Sequence, residues 1–324
     1  MAHRTSRVAL SLVLFVACGS DSPSPTRCAD VACLERTLSG HVGRVTAVTF
    51  SPDGATLATG GTDFTARLWR VSDGALERTL AGHASSVLSV AFSPDGALLA
   101  SGSEDATVRL WGTSDGGLVR TLSGAAFGLT SLAFSRDGGM LLGASSDHTV
   151  RLWDVATGHL AATVPAHVAP VTALALAPDG TSFASAGATL DGRVRLWTFP
   201  AAAPIWQAAG ETAVWSLAFA PDGRVLACGG SLGAVRLRST PDGTEQRRLT
   251  DGDGPVTALA YSPDARHLAA SDGASVRVFD PGGGAALGRL TGHVGSVFGL
   301  AFSPDGRLLA SASDDATVRL WSFF

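Results

Sequence analysis

Short apolar segments alternate with polar turn residues along nearly the whole chain. Residues 45–50, 87–92 and 297–302 are apolar runs, and a turn follows each one directly. Residues 107–111 and 317–321 are rich in β-branched side chains and alternate between apolar and polar positions. Because runs of this length between turn residues favour strands over helices, the pattern predicts an all-β chain.

The strand pattern returns at a fixed interval. A Trp closes the most regular segment in five copies, and Arg238 and Phe279 hold its place in two weaker copies. The steps between these seven positions are 42, 42, 44, 41, 41 and 42 residues: Trp69, Trp111, Trp153, Trp197, Arg238, Phe279 and Trp321. A period of about 40–45 residues is typical of a four-stranded propeller blade, so the sequence predicts seven blades.

Each copy also contains the tetrapeptide Ser-Pro-Asp-Gly or a close variant of it. Pro fixes one backbone φ angle and Asp-Gly permits a sharp reversal, so each tetrapeptide predicts a turn between two strands. The Asp residues of these turns are Asp53, Asp95, Asp137, Asp179, Asp222, Asp264 and Asp305.

Residues 105–111, which read Asp-Ala-Thr-Val-Arg-Leu-Trp, and the dipeptide Trp153-Asp154 resemble the repeats of the WD40 family. The resemblance covers roughly residues 31–324. It implies an all-β fold in which seven copies form a closed seven-bladed β-propeller, with one blade for each copy.

The two ends of the chain predict how the ring closes. The last copy stops just after its third strand, at Phe324. Residues 33–41 closely repeat residues 75–83, which form the fourth strand of one blade and lead into the next. We therefore expect residues 33–38 to complete the seventh blade, which removes a sheet edge that would otherwise be open to pairing.

The WD40 resemblance also implies a hydrogen-bonded tetrad of His, Ser or Thr, Asp and Trp in each regular blade. A buried indole N–H needs an acceptor. A Ser or Thr hydroxyl can accept a hydrogen bond from the indole and donate one to the imidazole. The set recurs four times and always ends on a core Trp, so we interpret it as structural and not as a catalytic triad. Its members are His41, Thr59, Asp63 and Trp69; His83, Ser101, Asp105 and Trp111; His167, Ser185, Asp191 and Trp197; and His293, Ser311, Asp315 and Trp321.

Charge and motifs restrict the function. The chain has 28 acidic residues, 24 arginines and no lysine, which gives a formal net charge of −4 and argues against a nucleic-acid partner. It lacks a Gly-rich phosphate loop, a zinc signature and a nucleophile elbow, so the sequence predicts no cofactor, no metal site and no catalytic residue. Function is then expected to reside in a surface.

WD40 relatives often bind partners on the face that carries the loops before the first strand and between the second and third strands. Trp215 and Phe298 stand at a first-strand position where other blades have Thr or Leu, and aromatic residues dominate interface hot spots. The alternative is that both rings merely fill the central channel. The residues predicted to contact a protein or peptide partner are Arg44, Leu88, Glu104, Trp215, Phe298 and Asp314.

The N-terminus has the pattern of an export signal. Two arginines precede about ten apolar residues, too few to span a bilayer, and the run ends before Cys18. The segment resembles a bacterial lipoprotein signal, with Phe15 where that motif prefers Leu. It implies a signal peptide over residues 1–17, then a lipidated Cys18 and a flexible tether over 18–30. Simple cleavage without lipid is the alternative, and Cys28 and Cys33 can pair in an oxidising compartment.

These observations predict a non-catalytic scaffold, a monomeric ring that binds a protein or peptide. The scaffold is expected outside the cytoplasm in a bacterial cell envelope, where only the lipid at its N-terminus touches the membrane. Two alternatives stay open: a hydrolase-like enzyme with its site at the channel mouth, and an intracellular WD40 scaffold.

Overall fold

The computed structural model describes residues 31–209, 213–250, 252 and 254–323. Over these residues the chain forms 28 strands in seven four-stranded antiparallel sheets, with no helix. Most strands have five or six residues, the length set by the distance from one turn signal to the next. The predicted fold class, a seven-bladed all-β propeller, is confirmed.

Blades 1 to 4 follow one another along the chain. Blade 1 contains β2 (Val45–Phe50), β3 (Thr56–Gly61), β4 (Thr65–Arg70) and β5 (Leu76–Ala81). Blade 2 contains β6 (Val87–Phe92), β7 (Leu98–Ser103), β8 (Val108–Gly112) and β9 (Leu118–Leu122). Blade 3 contains β10 (Leu129–Phe134), β11 (Met140–Ser145), β12 (Thr149–Asp154) and β13 (Leu160–Pro165). Blade 4 contains β14 (Val171–Leu176), β15 (Ser182–Gly187), β16 (Arg193–Thr198) and β17 (Pro204–Ala209).

Blades 5 to 7 complete the ring. Blade 5 contains β18 (Val214–Phe219), β19 (Val225–Gly230), β20 (Val235–Ser239) and β21 (Glu245–Leu249). Blade 6 contains β22 (Leu259–Tyr261), β23 (Leu268–Asp272), β24 (Ser275–Phe279) and β25 (Ala286–Leu290). Blade 7 contains β26 (Val297–Phe302), β27 (Leu308–Ser313) and β28 (Thr317–Phe323), and its fourth strand is β1 (Ala32–Ser39).

The ring closes by pairing the two ends of the chain. Strand β1 lies antiparallel to β28, with Leu38 opposite Val318 and Leu34 opposite Trp321. The register shifts just before Trp321, as it does before Trp69 in blade 1. Because the N-terminal strand repeats the geometry of an ordinary fourth strand, the predicted closure of the seventh blade is confirmed.

Apolar side chains fill the space between neighbouring sheets. Val45 and Phe50 of blade 1, for example, share one buried cluster with Ala310 and Leu320 of blade 7. The first strands contact their neighbours all the way around, from β2 through β26 and back to β2. These strands therefore surround the central channel, and burial between sheets supplies the main stabilising free energy of the ring.

Two kinds of turn define the two faces of the ring. We call upper the face that carries the loops before the first strands and the turns between the second and third strands. The Ser-Pro-Asp-Gly turns lie on the opposite, lower face. In the first of these turns, Ser51 Oγ donates to Asp53 Oδ1 over 2.5 Å and Gly54 has a φ of 72°, a left-handed conformation that favours glycine.

Candidate functional site

The four tetrads are assembled behind the upper face. In blade 2, Trp111 Nε1 donates to Ser101 Oγ over 2.8 Å, and that hydroxyl lies 2.8 Å from His83 Nε2. The other imidazole nitrogen, Nδ1, lies 2.8 Å from Asp105 Oδ2. An ionised carboxylate only accepts hydrogen bonds, so His83 donates from Nδ1 and accepts the Ser101 hydroxyl at Nε2.

Three other blades repeat this arrangement. In blade 1, His41 lies 2.9 Å from Asp63 and 2.7 Å from Thr59, and Trp69 donates to Thr59 over 2.9 Å. In blade 7, His293 lies 2.8 Å from Asp315 and 2.9 Å from Ser311, and Trp321 donates to Ser311 over 2.9 Å. In blade 4, His167 contacts Asp191 and lies 2.8 Å from Ser185, and Trp197 donates to Ser185 over 2.9 Å.

Burial sets the protonation state of the tetrads. Desolvation lowers the pKa of His83, which favours the neutral imidazole at physiological pH. Burial alone would raise the pKa of Asp105, but hydrogen bonds from Thr107 and from the backbone of Ala84 hold it at about 2. Ser101 is 0% exposed. Since substrate cannot reach this hydroxyl, the tetrad of blade 2 cannot serve as a nucleophilic triad.

The tetrad Asp residues also hold the upper loops in place. Asp63 accepts the backbone N–H of Val42 over 3.1 Å, and Asp315 accepts that of Val294 over 3.1 Å. The two valines follow the tetrad His residues and are 79% and 89% exposed. The tetrads thus fix the backbone of the upper face while apolar side chains point outward from it.

The first-strand position at the channel mouth has a structural role in four blades. There a Thr hydroxyl donates to a backbone carbonyl of the next blade, a role that the sequence analysis missed because it depends on the alignment of neighbouring sheets. The pairs are Thr46 with Val87, Thr130 with Val171 (2.7 Å), Thr172 with Val214, and Thr257 with Val297 (2.5 Å). Leu88, Trp215 and Phe298 occupy the same position in the other three blades and have no hydroxyl to donate.

Trp215 and Phe298 line one groove on the upper face. The groove has a volume of about 440 Å³, and Pro255, Thr257 and Gly273 of blade 6 form its floor between the two rings. A Cβ placed on Gly273 would meet no atom within 4 Å, so the space beside it is open. Blade 6 contributes no bulky side chain, and the groove is mostly apolar.

Two further predicted residues lie beside this groove. The Arg44 guanidinium lies 4.5 Å from the centre of the Phe298 ring, and Arg44 Nε donates to Asp314 Oδ1 over 2.7 Å. The exposed fraction of both charged side chains is 44%, so the pair is accessible from solvent. Leu88 lines the channel mouth together with Arg44, Trp215 and Phe298. Glu104 lies apart from the groove, on the blade 2 turn, where it accepts a hydrogen bond from Ser85 over 3.1 Å.

The model of the WD domain, G-beta repeat, matches the chain seven times. The matches cover residues 32–70, 74–112, 116–154, 158–198, 205–239, 243–280 and 284–322. The chain belongs to the WD40 repeat family. Each match contains the fourth strand of one blade and the first three strands of the next, and together the seven span most of the ring.

Two curated WD40 relatives match short parts of the chain. A periodic tryptophan protein 2 homolog of Dictyostelium discoideum is 37% identical over 68 residues, which is 20% of this chain and 7% of the relative. Protein Mut11 of Chlamydomonas reinhardtii is 46% identical over 59 residues, which is 17% of this chain and 14% of the relative. The chain thus spans only a small part of either protein.

These relatives contradict the predicted location. Both come from eukaryotes, so the expectation of an extracytoplasmic protein in a bacterial cell envelope is wrong. That expectation depended on a short apolar run after two arginines, a composition signal much less specific than seven repeats. No helix in the described part of the chain is long and apolar enough to cross a membrane.

The remaining predicted residues lie near the start of the chain. The predicted signal peptide, the tether, Cys18 and Cys28 fall outside the described residues. Cys33 lies on β1, is 6% exposed and is disulfide-bonded. Its pairing with Cys28 stays a prediction. Within the described ranges, no three His, Cys, Asp or Glu side chains cluster as metal ligands.

Proposed function

We propose that this WD40 propeller is a non-catalytic scaffold that binds a protein or peptide partner on its upper face. The partner inserts an apolar side chain between Trp215 and Phe298. The observation that carries the proposal is the substitution of aromatic rings for threonine at the channel mouth. Four blades use that position for a hydrogen bond to the next blade, so the rings of blades 5 and 7 add apolar surface at the expense of a structural bond.

The charges beside the groove indicate which kind of side chain the partner inserts. Arg44 and Asp314 neutralise one another at its blade 7 side, and the groove walls are apolar. We therefore expect the inserted side chain to be uncharged, with polar groups of the partner backbone contacting the Arg44–Asp314 pair. A buried aromatic anchor with a polar rim is typical of protein–protein hot spots.

The repeat itself supplies the substitution that tests this proposal. Trp215→Thr and Phe298→Thr remove the rings and place a hydroxyl where four other blades already donate to the next sheet. Folding should be retained, because the new side chain is the one that most blades use. The matched control is Trp206→Arg, which removes a Trp from the outer strand of blade 4 and introduces the residue found at that place in blades 1, 2, 5 and 7.

The measurement uses peptides selected from a displayed random library against the full chain. Selected peptides should contain a large uncharged side chain and bind Trp215→Thr and Phe298→Thr at least about tenfold more weakly, as expected for a hot-spot anchor. Binding by Trp206→Arg should equal that of the wild type. Equal affinity for all four proteins, with matching melting temperatures, would disprove the groove as the binding site.

A further inference from the structure

A side chain on the outer strand of several blades donates to the next blade on the lower face. The donor lies on the fourth strand opposite a Leu of the third strand, and the acceptor is a backbone carbonyl in the turn after the third strand of the neighbour. The pairs are Arg36 with Val71 (2.8 Å), Arg78 with Ser114 (2.6 Å), Arg120 with Ala156 (2.9 Å) and Trp206 with Thr240 (2.6 Å).

Arg247 holds this place between blades 5 and 6, but it does not make the same contact. Its Nη1 atom is buried and has no hydrogen-bond partner among the described residues. A cavity of about 310 Å³ lies beside it, between β20 and β21 of blade 5 and the lower turns of blade 6. Val225, Leu237 and Pro281 provide apolar walls.

Tyr261 lines the same cavity and has a second buried donor. It is the one tyrosine of the chain, and it stands at the end of a first strand, where five other blades have Phe. Its hydroxyl is buried and makes no hydrogen bond to any described residue. Burial raises the pKa of this phenol, so it keeps its proton and can donate at physiological pH. The aromatic ring packs against the apolar cluster between blades 5 and 6, whereas the hydroxyl makes no hydrogen bond that would stabilise the fold.

We propose that this cavity between blades 5 and 6 binds an apolar group that ends in a carboxylate. Arg247 Nη1 and the Tyr261 hydroxyl are the two donors for the carboxylate, and the apolar walls enclose the rest of the ligand. A guanidinium matches the geometry of a planar two-oxygen anion such as a carboxylate. Asp222 is exposed at the cavity edge and repels more highly charged anions, which favours a monocarboxylate over a phosphate.

The carboxylate can belong to a free acid or to the C-terminus of a peptide. Three probes distinguish these sources in ligand-observed NMR titrations of the full chain: 4-methylpentanoate, acetyl-Gly-Gly-Leu and acetyl-Gly-Gly-Leu-amide. We expect acetyl-Gly-Gly-Leu to bind at least tenfold more tightly than its amide. If 4-methylpentanoate binds about as tightly as acetyl-Gly-Gly-Leu, the site accepts carboxylates in general. If acetyl-Gly-Gly-Leu binds and 4-methylpentanoate does not, the site is specific for a peptide C-terminus. Equal binding of acid and amide, or no binding of any probe, would overturn the proposal.

Variants connect the binding to the two donors. Tyr261→Phe introduces the residue of most other blades, so it should leave the melting temperature unchanged or raised while it weakens the acid at least tenfold. Arg247→Gln should weaken it as much, whereas Arg78→Gln, the equivalent residue between blades 1 and 2, should not. Full binding by Tyr261→Phe and Arg247→Gln would contradict the assignment. The site is separate from the upper groove, and Trp215→Thr should bind the acid normally.

Discussion

Blades 1, 2, 4 and 7 satisfy their buried polar groups in one shared way, whereas blades 3, 5 and 6 each do so differently. In blade 3, Gly143 stands where the tetrad needs a hydroxyl, and Trp153 Nε1 donates to the carbonyl of Ser123 over 3.1 Å. Asp147, which has no His partner, pairs with Arg151 at 2.6 Å. The Trp and Asp of blade 3 thus keep their positions but change their partners.

Blade 5 replaces the core Trp with Arg238. Its guanidinium donates to the carbonyls of Gly243 over 3.0 Å and Ala209 over 2.5 Å and lies 3.7 Å from the Glu245 carboxylate, so backbone acceptors and one ion pair stabilise the charge. Cys228 takes the place of the tetrad hydroxyl, and burial raises the pKa of its thiol to about 12. This thiol is therefore an inert part of the core.

Blade 6 departs furthest, at its first strand. The backbone N–H groups of Thr257 and Ala258 donate to Ser271 Oγ over 2.8 and 3.0 Å, and β22 is only three residues long. Asp272 accepts the N–H of Gly254 over 2.9 Å and pairs with Arg289 at 2.5 Å.

The comparison shows where the ring has room for function. Both proposed sites lie at the borders of the irregular blades: the Trp215–Phe298 groove spans blades 5 to 7, and the cavity beside Arg247 and Tyr261 lies between blades 5 and 6. The regular blades keep the ring closed with the same interactions in each copy. The irregular blades supply side chains that the repeat does not require.

The largest effect should follow from removing a tetrad hydroxyl. Ser101→Ala leaves Trp111 Nε1 and His83 Nε2 buried without their partner, at a cost of about 1–3 kcal/mol for each group. We expect the free energy of unfolding in urea to fall by roughly 2–6 kcal/mol. The matched change at the same strand position of blade 5, Cys228→Ala, removes a weakly bonding thiol and should cost only about 1 kcal/mol. Equal losses would show that the tetrad adds nothing beyond packing.

A smaller effect should show that blade 3 cannot simply regain a side chain at the tetrad position. A Cβ on Gly143 would lie 2.7 Å from Trp153 Cζ3 and 3.1 Å from Leu129 Cδ1. Gly143→Ala should therefore lower the free energy of unfolding by about 1–3 kcal/mol, as overpacked cores do. Gly139→Ala is the control, because its Cβ would be 3.5 Å from the nearest atom and two other blades already have Ala there. A tolerated Gly143→Ala would mean that Trp153 can move aside.

The sequence predicted the parts of the structure that depend on local rules. The seven-blade count, the turns and the closing strand follow from motifs that recur within one copy. Trp215 and Phe298 could be identified from the sequence because they are aromatic at a first-strand position where the other blades have Thr or Leu. The hydrogen bonds of Thr46 and its equivalents, and the unused donors of Arg247 and Tyr261, depend on how two different sheets align. No pattern within a single repeat specifies that alignment.

The last effect concerns pH and separates the two groups of blades by their histidines. Burial lowers the pKa of His41, His83, His167 and His293 below the ordinary value of 6.5, and no histidine holds the equivalent position in blades 3, 5 and 6. As the pH falls, these side chains therefore take up protons at a higher pH in the unfolded chain than in the folded chain. Their contribution to stability is therefore complete above pH 6.5 and falls as the pH drops below it, by at most about 1.4 kcal/mol per pH unit for each histidine.

The titration of the tetrad carboxylates does not overlap the pH range of this measurement. The pKa of Asp105 and of Asp315 is held at about 2, so their contribution is lost only below pH 3.8. Urea unfolding between about pH 5 and 7 should show a smaller pH slope for His83→Asn and for His293→Asn than for the wild type. The double variant should show the sum of the two changes, because the residues are in separate blades. Parallel slopes for the wild type and the double variant would mean that the tetrad histidines keep their ordinary proton affinity in the fold, and the regular blades would then owe their stability to packing alone.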